Sequence, residues 1–166
     1  MGRAVLDKRK GKHNQINGGV YEKMTIIESV TRFIMSCPFL NELARVNVDF
    51  LPADPDTYSV EEVPSETIRK KYLDGSSERQ FMFTFAARLS YSDEVRNNID
   101  NSGFFEDFEE WLEKCTETDN LPELREGLTP LKIEAISSGY LFDISGDLKN
   151  SRYQIQCRLI YDKECL

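Results

Sequence analysis

Apolar and polar side chains alternate over residues 80–92 in a pattern that predicts one long β-strand. Phe81, Phe83, Phe85, Ala87, Leu89 and Tyr91 fall on one side. Gln80, Thr84, Arg88 and Ser90 fall on the other, interrupted by Met82 and Ala86. Successive strand residues point to opposite faces, so this spacing gives one face to a core and one to water. The same period returns over Ser151–Tyr161, where Tyr153, Ile155, Cys157, Leu159 and Tyr161 alternate with Arg152, Gln154, Gln156 and Arg158. A shorter alternation covers Arg45–Phe50, and Thr57–Val63 reads as a strand closed by Pro64. Ile68–Leu73, the turn residues Asp74-Gly75-Ser76-Ser77 and the strand from Gln80 together predict a hairpin. Leu131–Tyr140, extended toward Ile144, gives a further strand, and Ser145-Gly146-Asp147 turns it into the last one.

Two segments carry the helical period instead. Ile26, Ile27, Val30, Phe33 and Ile34 lie on one helical face. Thr25 and Glu28 before them form a capping-box pattern, and Pro38 marks the end. Further on, Phe104, Phe105, Phe108, Trp111, Leu112 and Cys115 line one face, with Glu106, Asp107, Glu109 and Glu110 turned outward. Ser92-Asp93-Glu94 supplies a cap and acidic first-turn residues for a helical face that begins at Val95 and Ile99. Ser102-Gly103 predicts an interruption, and the stretch through Pro122 and Pro130 predicts a loop. The expectation is an α+β fold: a single mostly antiparallel or mixed sheet with two main helices packed on one face.

Composition changes this picture at the N-terminus. Residues 1–23 carry six basic and two acidic side chains and lack periodicity. With a chain total of −8, the remainder stands at −12. Asn17-Gly18-Gly19-Val20-Tyr21-Glu22-Lys23 precede Met24, and a Gly-Gly pair fits a purine-rich coding stretch shaped like a bacterial ribosome-binding site. The expectation is a native start at Met24, which N-terminal sequencing of natively made protein decides. Residues 1–23 are then a flexible basic leader, and residues 24–166 a single α+β domain. An acidic body disfavours gripping DNA, because phosphate contacts need clustered Lys and Arg. No apolar run reaches the roughly 18 residues of a membrane span, and no signal peptide is read.

Candidate chemistry narrows the function classes. The sole histidine, His13, sits in the leader, which leaves the body without His-based triads, dyads or metal sites. Cys37, Cys115, Cys157 and Cys165 form no CxxC pair and read as free thiols of a reducing compartment, three of them within apolar patterns. The neighbouring acids Glu61 and Glu62, or Glu109 and Glu110, diverge on a strand or helix and make poor acid/base pairs. Asp54, Asp56 and Glu61 lack the frame of a calcium loop, and no Gly-rich phosphate loop is present. The reading is a non-enzyme with no catalytic, cofactor or metal residues.

The order of certain segments resembles a family of prophage proteins from Gram-positive bacteria. They are Tyr58-Ser59-Val60-Glu61-Glu62-Val63-Pro64, Lys71-Tyr72-Leu73-Asp74-Gly75-Ser76 and Arg79-Gln80-Phe81-Met82-Phe83-Thr84-Phe85. Asn101-Ser102-Gly103-Phe104-Phe105 with Trp111-Leu112, Ile133-Glu134-Ala135 with Gly139-Tyr140-Leu141-Phe142, and Arg152 to Leu159 complete the set. The resemblance spans residues 24–163, and the leader departs from it. It implies a tail terminator, or minor tail and tail-completion, protein of a phage or phage-derived tail-like particle. Such a protein forms a ring, expected as a hexamer, that caps the tail tube, ends its polymerisation and offers a docking surface to the head. The partners implied are other copies of the chain, the tail tube protein, and a head-completion, connector or sheath protein. DNA only passes through the lumen. Assembly would take place in the host cytoplasm, with the protein at the head-proximal end of the tail.

Rings need a patch on one subunit that meets a different patch on the next. The hairpin Ile68–Gln80 and the loop Pro52–Thr57 have the turn chemistry and polarity for this. They nominate Asp54, Asp56, Lys70, Lys71, Asp74, Ser76 and Arg79 as interface residues. Alternatives remain: a head–tail connector or sheath-capping subunit, an acidic anti-host protein that mimics DNA, and a small carboxylate enzyme using a divalent metal.

Overall fold

The computed structural model describes residues 24–40, 44–91 and 95–165. The expected leader and the expected Ser92-Asp93-Glu94 cap lie outside the described residues. In chain order the elements are α1 (Ile26–Ile34), β1 (Val46–Val48), β2 (Thr57–Glu62), β3 (Ile68–Lys71) and β4 (Ser77–Ser90), then α2 (Val95–Glu117), β5 (Leu128–Ala135), β6 (Tyr140–Ile144) and β7 (Asn150–Lys163). They form an α+β fold with one mixed sheet of seven strands and two helices.

The two strongest alternations in the sequence become the two central strands. β4 and β7 pair antiparallel over fourteen positions each, from Ser77↔Lys163 to Ser90↔Asn150, a ribbon about 45 Å long. Each outer side of this ribbon carries two shorter strands laid end to end. β2 and β3 pair with β4, while β5 and β6 pair with β7. β1 lies outside β2 and runs parallel to it, which makes the sheet mixed. Asp49 and Asp56, both at positive φ, turn the short connection between β1 and β2.

One side of the ribbon is apolar, as the alternation requires. Phe83, Phe85, Ile155, Cys157 and Leu159 are fully buried there. The rings of α2 lie against this side: Phe108 stacks on Phe85 at 4.5 Å, and Phe105 stands 6.1 Å from Tyr153. Phe33 of α1 stacks on Trp111 of α2 at 5.1 Å, so the two helices also touch each other. Val30, Phe33 and Ile34 of α1 join the same cluster. Burying a large aromatic or aliphatic side chain stabilises by about 1.5–3 kcal/mol, so these few residues dominate the driving force.

The local signals explain most element ends. Thr25 and Glu28 make the reciprocal capping box, with Thr25 N donating to the Glu28 carboxylate at 2.9 Å and Glu28 N donating to Thr25 Oγ1 at 3.3 Å. α1 stops at Ile34, three residues earlier than Pro38 alone would require. Ser36 and Cys37 then bond back to Phe33 and Ile34 in tighter turns, because the residue before a proline is kept from the helical region.

Three expectations are corrected. Ser102-Gly103 does not interrupt the helix: α2 runs unbroken from Val95 to Glu117, and a Cβ added to Gly103 would meet nothing within 4 Å. A helical glycine costs only about 1 kcal/mol, less than the aromatic face returns. The strand expected over Leu131–Tyr140 is divided, since residues 136–139 leave the ladder between β5 and β6. Pro130 belongs to β5 and not to a loop: β5 is an outermost strand with a register shift between Pro130 and Lys132, where a missing amide donor is tolerated.

Candidate assembly surface

The hairpin nominated from sequence forms as β3, a tight turn and β4. Tyr72 N donates to Ser76 O at 3.0 Å, and Gly75 takes φ +87, a value that favours glycine. Asp74 accepts from Ser76 N at 2.9 Å and from Ser76 Oγ at 2.6 Å. These bonds hold the Asp74 carboxyl below its usual range. Lys70 Nζ sits 5.0 Å from the centre of the Tyr72 ring, and Leu73 is fully exposed at the tip. Arg79 lies in β4 behind the turn, its Nε donating to Ser77 Oγ at 3.0 Å.

The second nominated segment, the loop Pro52–Thr57, is pinned to the far end of β4. Asp56 N donates to Arg88 O at 2.7 Å, Arg88 Nε to Pro52 O at 3.3 Å, and Thr57 Oγ1 to Asp54 O at 2.7 Å. Asn150 Nδ2 reaches Ala53 O at 3.2 Å, tying the same loop to the start of β7. Lys70, Lys71, Asp74, Ser76 and Arg79 therefore stand at one end of the ribbon, and Asp54 and Asp56 at the other. Eleven residue steps along β4 lead from Ser77 to Arg88, roughly 36 Å.

The residues nominated from sequence stand at the ends of the ribbon, and its lateral edges form a separate surface. Lateral strand edges carry unpaired backbone donors and acceptors, which proteins commonly cover or blunt. β5 is covered: Thr116 Oγ1 of α2 donates to Ile133 O at 2.7 Å and accepts from Ile133 N at 3.1 Å. Among the described residues no strand pairs with the outer side of β6, β1 or β3. β6 is also apolar and exposed, with Phe142 at 59% and Leu141 at 42%. Val48 at the end of β1 and Phe50 just beyond it are exposed in the same way. The run Tyr140-Leu141-Phe142 lacks alternation, so its pattern reads as buried, and no sequence signal distinguishes it from a core strand.

The side of the ribbon opposite the core is a bonded polar network. Glu61 accepts from Ser59 Oγ at 2.8 Å and from Arg152 at 2.7 Å. Arg152 Nε donates to Gln154 Oε1 at 3.0 Å, and Gln154 Nε2 to the Tyr140 hydroxyl at 2.5 Å. The guanidinium of Arg152 also lies 5.1 Å from the Phe142 ring centre. Further along, Arg158 and Lys132 both bind Glu134. Burial raises the Glu134 carboxyl, and the hydrogen bonds and charges of Lys132 and Arg158 outweigh it, leaving it below the usual carboxylate range.

Burial pushes the Cys37 thiol up to about 11 and raises those of Cys115 and Cys157, so these three are not activated nucleophiles. Cys165 is exposed, and all four thiols are free. Glu61, weighed for a calcium loop, is instead ion-paired to Arg152. Among the described residues no group of three or more His, Cys, Asp or Glu side chains is placed to hold a metal ion, and no helix is long and apolar enough to cross a membrane. A groove of about 480 Å³ lies beside β5 and is lined by Asp119, Leu121, Pro122, Glu123, Leu124 and Leu128–Pro130. Compared with protein families and with curated proteins, the chain matches none.

Proposed function

We propose that this chain is a structural subunit of a phage tail or phage-derived tail-like particle. It forms a ring that caps the tail tube, ends tube growth and presents a docking surface to the head. The observation that carries the reading is the ribbon with two unlike ends. At one end a lysine-bearing hairpin projects Leu73 into solvent, and at the other lie the Asp-rich loop Pro52–Thr57 and the turn at Ser145-Gly146-Asp147. A terminator must bind two different partners, the tube below and the head above, and a stiff two-stranded spine with distinct tips suits that task. The acidic body supports passage of DNA through a ring without retention, since like charge weakens non-specific attraction.

Deleting the gene and imaging the particles by electron microscopy tests the reading. Overlong tails without heads are the expected outcome. Tails of normal length that still join heads would overturn it. Tails of normal length that stay headless would move the chain to the connector role.

A further inference from the structure

We propose that β6 of one copy of this chain pairs with β1 of a second copy, so that the sheet continues from subunit to subunit. This rests on the ring-forming reading above and names the contact that would build the ring.

The argument begins with the rows that cross the sheet. Asn47 pairs with Ser59, Ser59 with Ala86, Ala86 with Gln154, and Gln154 with Tyr140. The next row runs Val46–Tyr58–Ala87–Tyr153–Leu141. β1 and β6 are therefore the two outermost strands of the same rows, at the same height on opposite sides of the molecule. A rotation about an axis roughly parallel to the strands lays β6 of one copy beside β1 of the next without a vertical step. Such a contact joins two different patches and closes into a ring when the rotation divides the circle.

Strand direction and chemistry agree with that placement. β6 runs antiparallel to β7, which runs antiparallel to β4, which runs antiparallel to β2, the parallel neighbour of β1. The new pair would be antiparallel. Both strands present exposed apolar side chains, Leu141 and Phe142 on one and Val48 on the other, with Phe50 just beyond. The β5 edge, by contrast, already has Thr116 bonded to its backbone.

Charge complementarity lies toward the other end of the same two sides, where β3 stands in the column of β2, one strand inside β1, and β5 in the column of β6. Lys70 is level with Glu78, Asp162 and Thr129, and Lys71 with Ser77, Lys163 and Leu128. Leu128 and Thr129 line the groove that also holds Asp119 and Glu123. The rotation that brings β6 to β1 brings the lysines of one copy toward the carboxylates of the other. Opposite charges brought together across such a contact set register and disfavour a reversed arrangement.

Cysteine pairing tests the contact. Val48→Cys and Leu141→Cys are introduced singly and together in a Cys165→Ser background, then treated with a short bis-maleimide, both as purified chain and in extracts of particle-producing cells. The double variant is expected to give a ladder of cross-linked species that ends at the closed ring, and each single variant only monomer. Lys70→Glu with Lys71→Glu should abolish the ladder, and Asp119→Lys with Glu123→Lys should restore it. Dimers from either single variant, or monomer alone from the double variant in both preparations, would overturn the contact. The two proposals separate cleanly. A ladder with normal tails in the deletion strain keeps the contact and removes the terminator role, and overlong tails without a ladder do the reverse.

Discussion

Single residues carry two expectations that the fold makes quantitative. A Cβ at Gly139 would stand 2.3 Å from the Cβ of Phe105, a fully packed ring of α2, so the bend between β5 and β6 exists at this distance only with glycine. Gly139→Ala should destabilise by about 1–3 kcal/mol in urea unfolding, the usual cost of overpacking a core, whereas Gly103→Ala, with open space around it, should not. Glu134 gives the pH dependence. Its folded carboxyl titrates below the ordinary value, so its contribution is fully present above that value and is lost as pH falls through the lowered one. Glu134→Gln should therefore cost up to about 1 kcal/mol at neutral pH, a small figure because the group is partly solvated. The difference from the wild-type chain should vanish in strong acid, and unfolding at a series of pH values measures both. Sequence reading nominated Lys70 and Asp74 from turn chemistry and polarity. It could not see Gly139 as special, because what restricts it is a ring thirty-four positions away.

At the scale of elements, legibility followed the strength of the period. β4 and β7 were plain in the alternation and differ from expectation only by a few residues at their ends. The division of β5 from β6 falls at Ser137-Ser138-Gly139, a turn-type run that the expectation of one strand passed over because Ile136 and Tyr140 fit a continuing strand, and packing over Phe105 fixes it. The single span of α2 was hidden by Ser102-Gly103, a local breaker overruled by Phe104, Phe105 and Phe108. The elements should also differ in how readily they open. Amides of Phe83–Phe85 and Ile155–Cys157 are expected to exchange most slowly with deuterated water, and those of β1 and β6 fastest among the strands. These outer strands are short, and among the described residues no strand pairs with their outer sides. Slowed exchange at β6 on concentrating the protein would follow from the proposed contact.

For the whole molecule, the sequence defined the class and not the neighbours. Alternation says which face of a strand is buried but not which strand lies beside it. Hence the parallel β1–β2 pair and the central position of β7 emerged only in three dimensions. That central position has a consequence for how the chain matures. β4 ends at Ser90 and its partner begins at Asn150, so the spine cannot form during synthesis until the whole of α2, β5 and β6 has left the ribosome. Until then the phenylalanines of β4 are unshielded, and pairings of such sequence separation form slowly. During that interval the newborn chain exposes the kind of apolar surface and unpaired strand edge that favours misassembly, and the fold hides both only when its last long strand arrives.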